Sequence, residues 1–411
     1  MSESGASKLS PACVDMNVCG IKMLGQSETG AFIGLNDEGA ALLARLRAGE
    51  IPQPLSENQR QMMKALAENG FLKEPPLQMG LQTAYLHVTS RCDLSCAGCY
   101  SYENERNERK DLGTEGMKFI IRNLKEAGLG RLVISGGEPF LRPDISDIIA
   151  STKIAACVPH VACITNGSAQ LHRYKEVSQY LDSLHFSLDA HDDRSATIRP
   201  NYIFDDVVEK IVKLKEYGMN VALVFTLHKR NFENIDKMGQ LAAGLGIPFN
   251  FSMLSVAKPD RTGYNLALGE EEFAALGDRI KNDGRAYPIQ DSSVGAKLAC
   301  KTLCGAGRTT VSVSSDGWVY PCHMFNGYRD FRIVTALVPG LLERMKCKEN
   351  IFLHMTVDDI EACKSCNVRY LCGGGCRFRG YADSGSASGT DKMCGATLAY
   401  VESAIKQMAK K

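Results

Sequence analysis

The chain has 411 residues, of which 44% are hydrophobic and 23% are charged. This length exceeds the ~100 to 200 residues of one ordinary domain, and the composition excludes a disordered or fibrous chain. Lysine plus arginine (48) nearly balances aspartate plus glutamate (47), so no overall charge draws the protein to DNA, RNA or an anionic membrane. We therefore predict no nucleic-acid partner and no membrane association.

Sixteen cysteines are the unusual feature of the composition. The N-terminus lacks the basic-then-apolar order of a secretory signal, and no run of ~18 apolar residues is present to cross a membrane. We therefore expect a cytoplasmic protein, whose reducing surroundings oppose lasting disulfides. Metal or redox chemistry then becomes the leading explanation for the cysteines.

Residues 1–76 are predicted to form a small winged-helix-like domain. Two extended runs, 18–24 and 31–35, precede two helical patterns with Asn36 and Ser56 as candidate N-caps. Seven Lys/Arg against nine Asp/Glu give this segment a net charge of −2, which disfavours DNA binding. Peptide binding along an exposed strand edge is the better alternative. A Glu-Pro-Pro linker follows.

Residues 77–256 alternate short β-rich runs with helical patterns, which predicts an α/β fold with a parallel sheet and crossover helices. Six such units are typical of a partial (β/α)6 TIM barrel, whose chemistry gathers at the carboxyl ends of the strands. The segment 257–299 is a bridge, and 300–411 is a cysteine-rich domain. The predicted barrel strands are residues 84–88, 131–134, 160–164, 184–188, 221–227 and 249–253.

Three cysteines directly follow the first predicted barrel strand: Cys92, Cys96 and Cys99, in a C-x3-C-x2-C run. Thiolates this close can share one metal site, and sulfur ligation is typical of zinc or an iron–sulfur cluster. Three protein ligands leave one coordination position open, which is the condition for a reactive site. A zinc loop completed by a nearby histidine, or three packed thiols, stays open as an alternative.

Polar residues and glycines end the next three predicted strands. Any one of them is compatible with an ordinary turn. Because the carboxyl ends of parallel strands meet at one edge of the sheet, their recurrence beside the cysteines favours a ligand site. The residues are Gly136, Gly137 and Glu138 after the second strand, Asn166 after the third, and Ser187 and Asp189 at the end of the fourth.

On the cysteine triad, the Gly-Gly-Glu-Pro segment 136–139 and the six-unit barrel, residues 82–256 resemble a radical S-adenosylmethionine (SAM) enzyme. The resemblance implies a [4Fe-4S] cluster on the triad, with its open iron chelated by the methionine part of SAM. Gly98 departs from the family, which usually has an aromatic residue there, and we expect altered cluster packing. The implied SAM contacts are Gly136, Gly137 and Glu138 to the amine, Tyr100 to the adenine, and Asn166, Ser187, Asp189 and Arg199 to the ribose or carboxylate.

Eight cysteines of the C-terminal domain have spacings that allow two four-thiolate sites, and a pair of structural zincs remains open. Their pattern resembles the seven-cysteine signature of the SPASM extension, which implies two auxiliary [4Fe-4S] clusters. Cys300 lies outside that core signature, and without it the first cluster has an open iron. The implied ligands are Cys300, Cys304, Cys322 and Cys376 for the first cluster, and Cys363, Cys366, Cys372 and Cys394 for the second.

SPASM enzymes generally act on residues within peptides or proteins, and residues 1–76 resemble the leader-peptide recognition element of ribosomal-peptide maturases. Together these resemblances imply a peptide maturase of the sactipeptide or ranthipeptide type. Its partners would be a precursor peptide and an electron donor such as flavodoxin or ferredoxin. The first hypothesis for the product is a Cys-to-carbon thioether; carbon–carbon cross-linking and oxidative decarboxylation stay open. His323, directly after Cys322, is a candidate catalytic proton acceptor.

Two other classes of protein are alternatives. A sulfatase-maturating enzyme would oxidise Cys or Ser to formylglycine, but that family usually has an acidic residue after Tyr-Pro-Cys, where this chain has His323, and generally lacks a leader-binding domain. A non-enzymatic iron–sulfur electron carrier has no need of an open iron beside a nucleoside-sized pocket. We therefore rank both below peptide maturation.

Overall fold

A computed structural model describes most of the chain, including every cysteine. The predicted Glu-Pro-Pro linker and much of the bridging segment lie outside the described residues. The described ranges are 8–50, 53–72, 80–101, 107–108, 110–195, 197–200, 204–256, 263–283 and 298–409.

The N-terminal domain packs a three-stranded antiparallel sheet, in the order β1-β2-β3, against two helices. Its elements are β1 (Cys13–Val18), β2 (Ile21–Gln26), β3 (Phe32–Gly34), α1 (Asp37–Arg47) and α2 (Glu57–Glu68). The side chain of Asn36 caps α1, and Ser56 forms a capping box with Gln59 at the start of α2. Both predicted helix starts are confirmed.

The predicted strand over 18–24 is wrong, because a hairpin turn interrupts it. Val18 pairs with Ile21, and the two residues between them, Cys19 and Gly20, both have positive φ, at 53° and 81°. Two-residue hairpin loops with positive φ at both positions match the natural twist of the flanking strands. The domain therefore has three strands in its described part, one more than predicted.

The barrel region forms a parallel sheet whose neighbours follow chain order, as predicted. Its strands are β4 (Thr83–His87), β5 (Arg131–Ser135), β6 (His160–Thr165), β7 (Ser183–Leu188), β8 (Val221–Leu227) and β9 (Phe249–Met253). Each agrees with the predicted bounds to within one residue. The crossover helices are α3 (Thr114–Glu126), α4 (Ile145–Ala150), α5 (Leu171–Val177), α6 (Phe204–Glu216) and α7 (Ile235–Leu245).

Two strands from the cysteine-rich region join the same sheet, a feature that the sequence analysis missed. The C-terminal elements are α8 (Glu270–Asp283), β10 (Thr310–Val313), β11 (Val319–Tyr320), α9 (Leu341–Arg344), α10 (Arg369–Cys372), α11 (Arg377–Ser384) and α12 (Cys394–Met408). Strand β10 pairs parallel to β4, and β11 pairs antiparallel to β10. In the part of the chain that the structure describes, the sheet thus has eight strands, and the cysteine-rich region begins beside the strand that leads into the triad.

Buried apolar clusters tie the three regions together. The largest one spans the barrel and includes Val311, Val313 and Ile333 from the C-terminal region. Another joins Met23 of the N-terminal sheet to Leu371 near the C-terminal cysteines. Among the described residues, no helix is long and apolar enough to span a membrane.

Candidate active site

A pocket opens at the carboxyl ends of the barrel strands, where Ser135, Thr165, Thr226 and Ser252 line its wall. The structure brings ten of the twelve residues predicted for the triad, the SAM contacts and the proton acceptor into this one pocket. Those that line it are Cys92, Cys96, Cys99, Tyr100, Gly136, Gly137, Asn166, Ser187, Arg199 and His323.

The paired glycines set the end of β5 directly against the backbone of the cysteine loop. Gly137 N donates to Thr89 O at 2.8 Å, and a Cβ on Gly136 would lie 2.4 Å from that same oxygen. A Cβ on Gly137 would lie 2.0 Å from Arg91 O. Because real Cβ atoms do not approach oxygen this closely, only glycine allows the two backbones to meet here.

Gly98, the departure from the family pattern, has a local explanation. Its φ is +71°, and an added Cβ would lie 2.8 Å from side-chain atoms of both Leu254 and Val256. These two side chains from the segment after β9 therefore occupy the space that a larger residue would need. Leu254 and Val256 thus fill the space beside position 98, where the family usually has an aromatic side chain.

Glu138 does not line the pocket; it is completely buried behind the wall. Its carboxylate accepts hydrogen bonds from Asn166 N at 2.7 Å, Thr165 Oγ1 at 2.9 Å and Phe140 N at 3.1 Å. Burial raises the pKa of Glu138 to about 7 despite these bonds. Glu138 thus links the end of β5 to the end of β6. This link positions Asn166 at the pocket.

Asp189 is likewise buried and supports another pocket residue. It accepts from Arg199 Nε at 3.1 Å and Thr197 Oγ1 at 2.8 Å, and His228 Nε2 lies 3.4 Å away. Burial alone would raise the pKa of Asp189, but these hydrogen bonds and the Arg199 charge outweigh it and lower the pKa. The result is an arginine held against the pocket wall by a fixed carboxylate.

Aromatic rings connect the triad loop to the C-terminal region. The rings of Tyr100 and His323 meet edge to face with centroids 5.3 Å apart. The ring centroids of Tyr85 and His323 are 4.3 Å apart. Tyr100 directly follows Cys99, and His323 directly follows Cys322. The two cysteine-bearing segments are therefore neighbours in space at this pocket.

The C-terminal thiols lie in two groups. Burial and then the nearby thiols Cys376 and Cys304 raise the pKa of Cys322. Burial and then a second set of thiols raise the pKa of Cys394 to about 11; this set is Cys372, Cys366 and Cys363. The structure thus gathers both predicted sets, apart from Cys300.

The Cys300 thiol lies against the N-terminal domain. It is buried, its backbone N donates to Gly30 O at 2.8 Å, and a Cβ on Gly25 would lie 2.4 Å from its Sγ. Burial and then Cys13 raise the pKa of Cys300 to about 12. The structure therefore places this cysteine in an interdomain contact with β2.

The thiol arrangement can be compared with what zinc and iron–sulfur clusters require. No three His, Cys, Asp or Glu side chains of the described residues are close enough to hold a single metal ion. Zinc needs its thiolates about 2.3 Å from one centre, whereas a cluster holds each thiolate on a different iron. The donor sets of the triad and of the two C-terminal groups consist of thiols, the ligand type that iron–sulfur clusters use.

Sequence reasoning missed several pocket residues on the strands themselves, such as Thr226 and Ser252. Each is a polar residue one position before the end of its strand, and the rest of the strand that holds Thr226 is apolar. That position was a usable signal, because a polar side chain on a strand buried on both faces needs a polar surrounding.

Comparison with known proteins agrees with this geometry. Residues 86–242 match the family model of the Radical SAM superfamily. An uncharacterized protein of Archaeoglobus fulgidus is 26% identical over 332 residues, which cover 75% of this chain and 77% of that protein. The chain therefore contains a radical SAM domain.

Several solved structures have a similar fold. Native anSMEcpe with bound AdoMet gives a TM-score of 0.63 at 17% identity and covers 80% of this chain and 98% of its own. Streptococcus suis SuiB bound to S-adenosylmethionine gives 0.59 at 16% identity, over 94% and 99%. SuiB bound to precursor peptide SuiA gives 0.57 at 16%, over 93% and 98%. At 16–17% identity, these similarities show a shared fold alone.

Proposed function

We propose that the protein is a radical SAM peptide maturase. It cleaves SAM reductively and abstracts hydrogen from a residue of a ribosomally made precursor peptide to install a cross-link, a Cys-to-carbon thioether. The observation that carries this proposal is the shared pocket, which brings the triad, the Gly136-Gly137 backbone and His323 together.

The triad Cys92, Cys96 and Cys99 would hold a [4Fe-4S] cluster, and SAM would occupy the rest of the pocket. When bound, these groups supply a 5′-deoxyadenosyl radical. The chain orients the cofactor: the Arg199 cation, fixed by Asp189, suits the methionine carboxylate, since charge-assisted contacts to guanidinium are strong and directional. The amide Nδ2 of Asn166 donates to Asp93 at 2.8 Å and lies 4.0 Å from Cys92 Sγ, so it stands beside the triad.

The two C-terminal thiol groups would hold auxiliary clusters. Joining a thiol to an unactivated C–H removes two electrons, and hydrogen abstraction accounts for one, so an acceptor near the substrate is needed. The group of Cys304, Cys322 and Cys376 lies next to the pocket through His323. Without Cys300 as a ligand, this group would have an open iron for a substrate thiol, and His323, directly after Cys322, would accept the proton of that thiol. An external donor such as flavodoxin or ferredoxin would supply the reducing electron.

Leader docking would take place on the N-terminal domain. Strand β3 is an edge strand of the described sheet, and a groove runs between it and α2, lined by Ile33, Leu35, Asn58 and Met62. An extended peptide can add to such an edge as a further strand. The similarity to SuiB covers 94% of the chain, so it has to include most of this domain; the SuiB structure with SuiA contains a precursor peptide.

The proposal is tested by co-expressing the protein with a short cysteine-bearing open reading frame found beside its gene. Mass spectrometry of the peptide is expected to show a loss of two hydrogens per linkage. A loss of carbon dioxide would indicate decarboxylation. Unchanged peptide together with no 5′-deoxyadenosine from the reduced, SAM-supplied protein would overturn the proposal.

A further inference from the structure

A second cavity lies beside the SAM pocket, between the triad loop and the β10–β11 hairpin. Ser101 and Gly137 line both cavities. The rings of His87 and Tyr100, with centroids 5.9 Å apart, stand between them. A peptide residue held in the second cavity would therefore place its neighbour in the chain at the SAM pocket, since consecutive Cα atoms are only ~3.8 Å apart.

The charges around this cavity are unequal. Among the residues that the structure describes, Lys110, Arg329 and Arg332 line it together with one carboxylate, Asp316. Arg332 forms an ion pair with Asp316, with 3.6 Å between Nη2 and Oδ2. Its Nε donates a hydrogen bond to Tyr320 Oη at 3.0 Å. Among the described residues, Arg329 has no carboxylate within ion-pair distance. The described lining of the cavity therefore has an excess of positive charge.

A neutral hydrogen-bonding pair completes the wall. Asn326 Nδ2 lies 3.3 Å from His87 Nδ1, and both side chains are more than nine-tenths buried. Because an amide nitrogen only donates, Nδ1 accepts and the imidazole proton is on Nε2. Within the described part of the chain, His87 Nε2 and Asn326 Oδ1 have no partner. His87 and Asn326 are thus joined to each other in the cavity wall.

We propose that this second cavity binds a carboxylate of the substrate peptide, next to the residue that is modified, and that Arg329 and Arg332 recognise it. The inference rests on the proposed function and adds a substrate preference to it. The carboxylate comes either from an Asp or Glu side chain or from the C-terminus of the peptide.

The only tryptophan of the chain provides the readout. The Arg332 guanidinium carbon lies 4.9 Å from the centre of the Trp318 ring, beside the cavity. We would titrate the anaerobic holoenzyme with three peptides and follow Trp318 fluorescence. They are acetyl-Gly-Glu-Gly-amide, its glutamine counterpart, and the glutamine peptide with a free C-terminal carboxylate.

One of the two carboxylate peptides is expected to bind about threefold to tenfold more tightly than the neutral one, the range of a partly exposed ion pair. The carboxylate peptide that binds more tightly identifies the source of the carboxylate. Arg329→Gln should remove this preference and keep the affinity for the neutral peptide. Arg329 is exposed, and circular dichroism verifies that the variant is folded.

The matched control is Arg308→Gln. Arg308 is exposed and precedes the first residue of β10, at the opposite end of the strand from the cavity. This variant should keep the preference. Equal affinity for the three peptides, no response to any, or a preference that survives Arg329→Gln would overturn the inference. Measuring 5′-deoxyadenosine in parallel separates the two proposals. A carboxylate preference without deoxyadenosine refutes the radical function alone, and deoxyadenosine without a preference refutes only the cavity assignment.

Discussion

The two cysteine regions differ in how their ligands are brought together. The triad lies on one short loop, so its spacing in sequence nearly fixes its spacing in space. The first C-terminal group draws Cys304, Cys322 and Cys376 from three separated segments. Spacing alone does not decide whether Cys300 joins this group, because Cys300 is close to Cys304 in sequence while its thiol packs on Gly25 of the N-terminal domain.

This difference shows that a ligand set follows from spacing only where one loop supplies it. Where tertiary packing supplies it, neighbouring backbone decides which thiols converge. At Cys300 the deciding neighbour is Gly25 of β2, whose missing side chain makes room for the sulfur. The predictions below separate the two regions, beginning with the largest effect.

Removing the triad should abolish cofactor chemistry and spare the C-terminal region. Converting Cys92, Cys96 and Cys99 to alanine is expected to eliminate 5′-deoxyadenosine formation and leave about two-thirds of the bound iron, because two of three clusters stay intact. Iron analysis and chromatography of the nucleoside measure both. Cys157→Ala, at an exposed position, is the control and should change neither. Loss of all iron in the triple variant would mean that the regions are not independent.

The C-terminal assignment is tested by comparing two cysteines that are close in sequence. Cys304→Ala should lower bound iron by about a third, since it removes one ligand of a three-thiol site. Cys300→Ala should leave the iron content unchanged, because its thiol packs on Gly25. Equal iron loss in both variants would show that Cys300 is a ligand.

Gly98 tests how firmly the triad loop depends on distant packing. Gly98→Ala combines a positive φ with contacts of 2.8 Å to Leu254 and Val256, and should lower the free energy of unfolding by about 2–4 kcal/mol. Gly218→Ala has a similar φ of +88° with no atom within 4 Å of the added Cβ, so it should cost only about 1 kcal/mol. Urea unfolding of the metal-free chain measures the difference. Equal costs would show that the Leu254 and Val256 contacts are unimportant.

The N-terminal groove should affect binding more than catalysis. Met62→Asp places a charge in the groove and is expected to weaken binding of a full-length precursor about tenfold, without changing the weak binding of the core segment alone. Lys64→Asp alters charge at an exposed position of the same helix outside the groove and serves as the control. Fluorescence anisotropy of labelled peptides measures both. A full-length precursor that binds the Met62 variant normally would contradict leader docking on this surface.

Local patterns predicted much of the fold. All six barrel strands were found because each is a short apolar run between helical patterns, and the helix starts at Asn36 and Ser56 were found because capping is local. Strand β10 pairs with β4 across more than 200 residues of chain, and nothing near Thr310 in sequence indicates that partner. Pairing over such distances is decided by the assembled core.

The candidate site followed the same division. Residues at strand ends, such as Asn166 and Ser187, were placed correctly in the pocket by position alone. Glu138 and Asp189 were assigned to the ligand from the same rule, yet both carboxylates are directed into the protein. A carboxylate at a strand end can bind a ligand or the neighbouring backbone, and only the surrounding donors decide between them.

The central claim is that three thiolates at the barrel mouth leave an iron free to bind SAM. Electron paramagnetic resonance of the reduced, anaerobically reconstituted protein tests this most directly. Addition of SAM should change the signal of one cluster, and the change should be absent when Cys92, Cys96 and Cys99 are replaced by alanine. Identical spectra with and without SAM in the unmodified protein, or zinc in place of iron at the triad, would contradict the account.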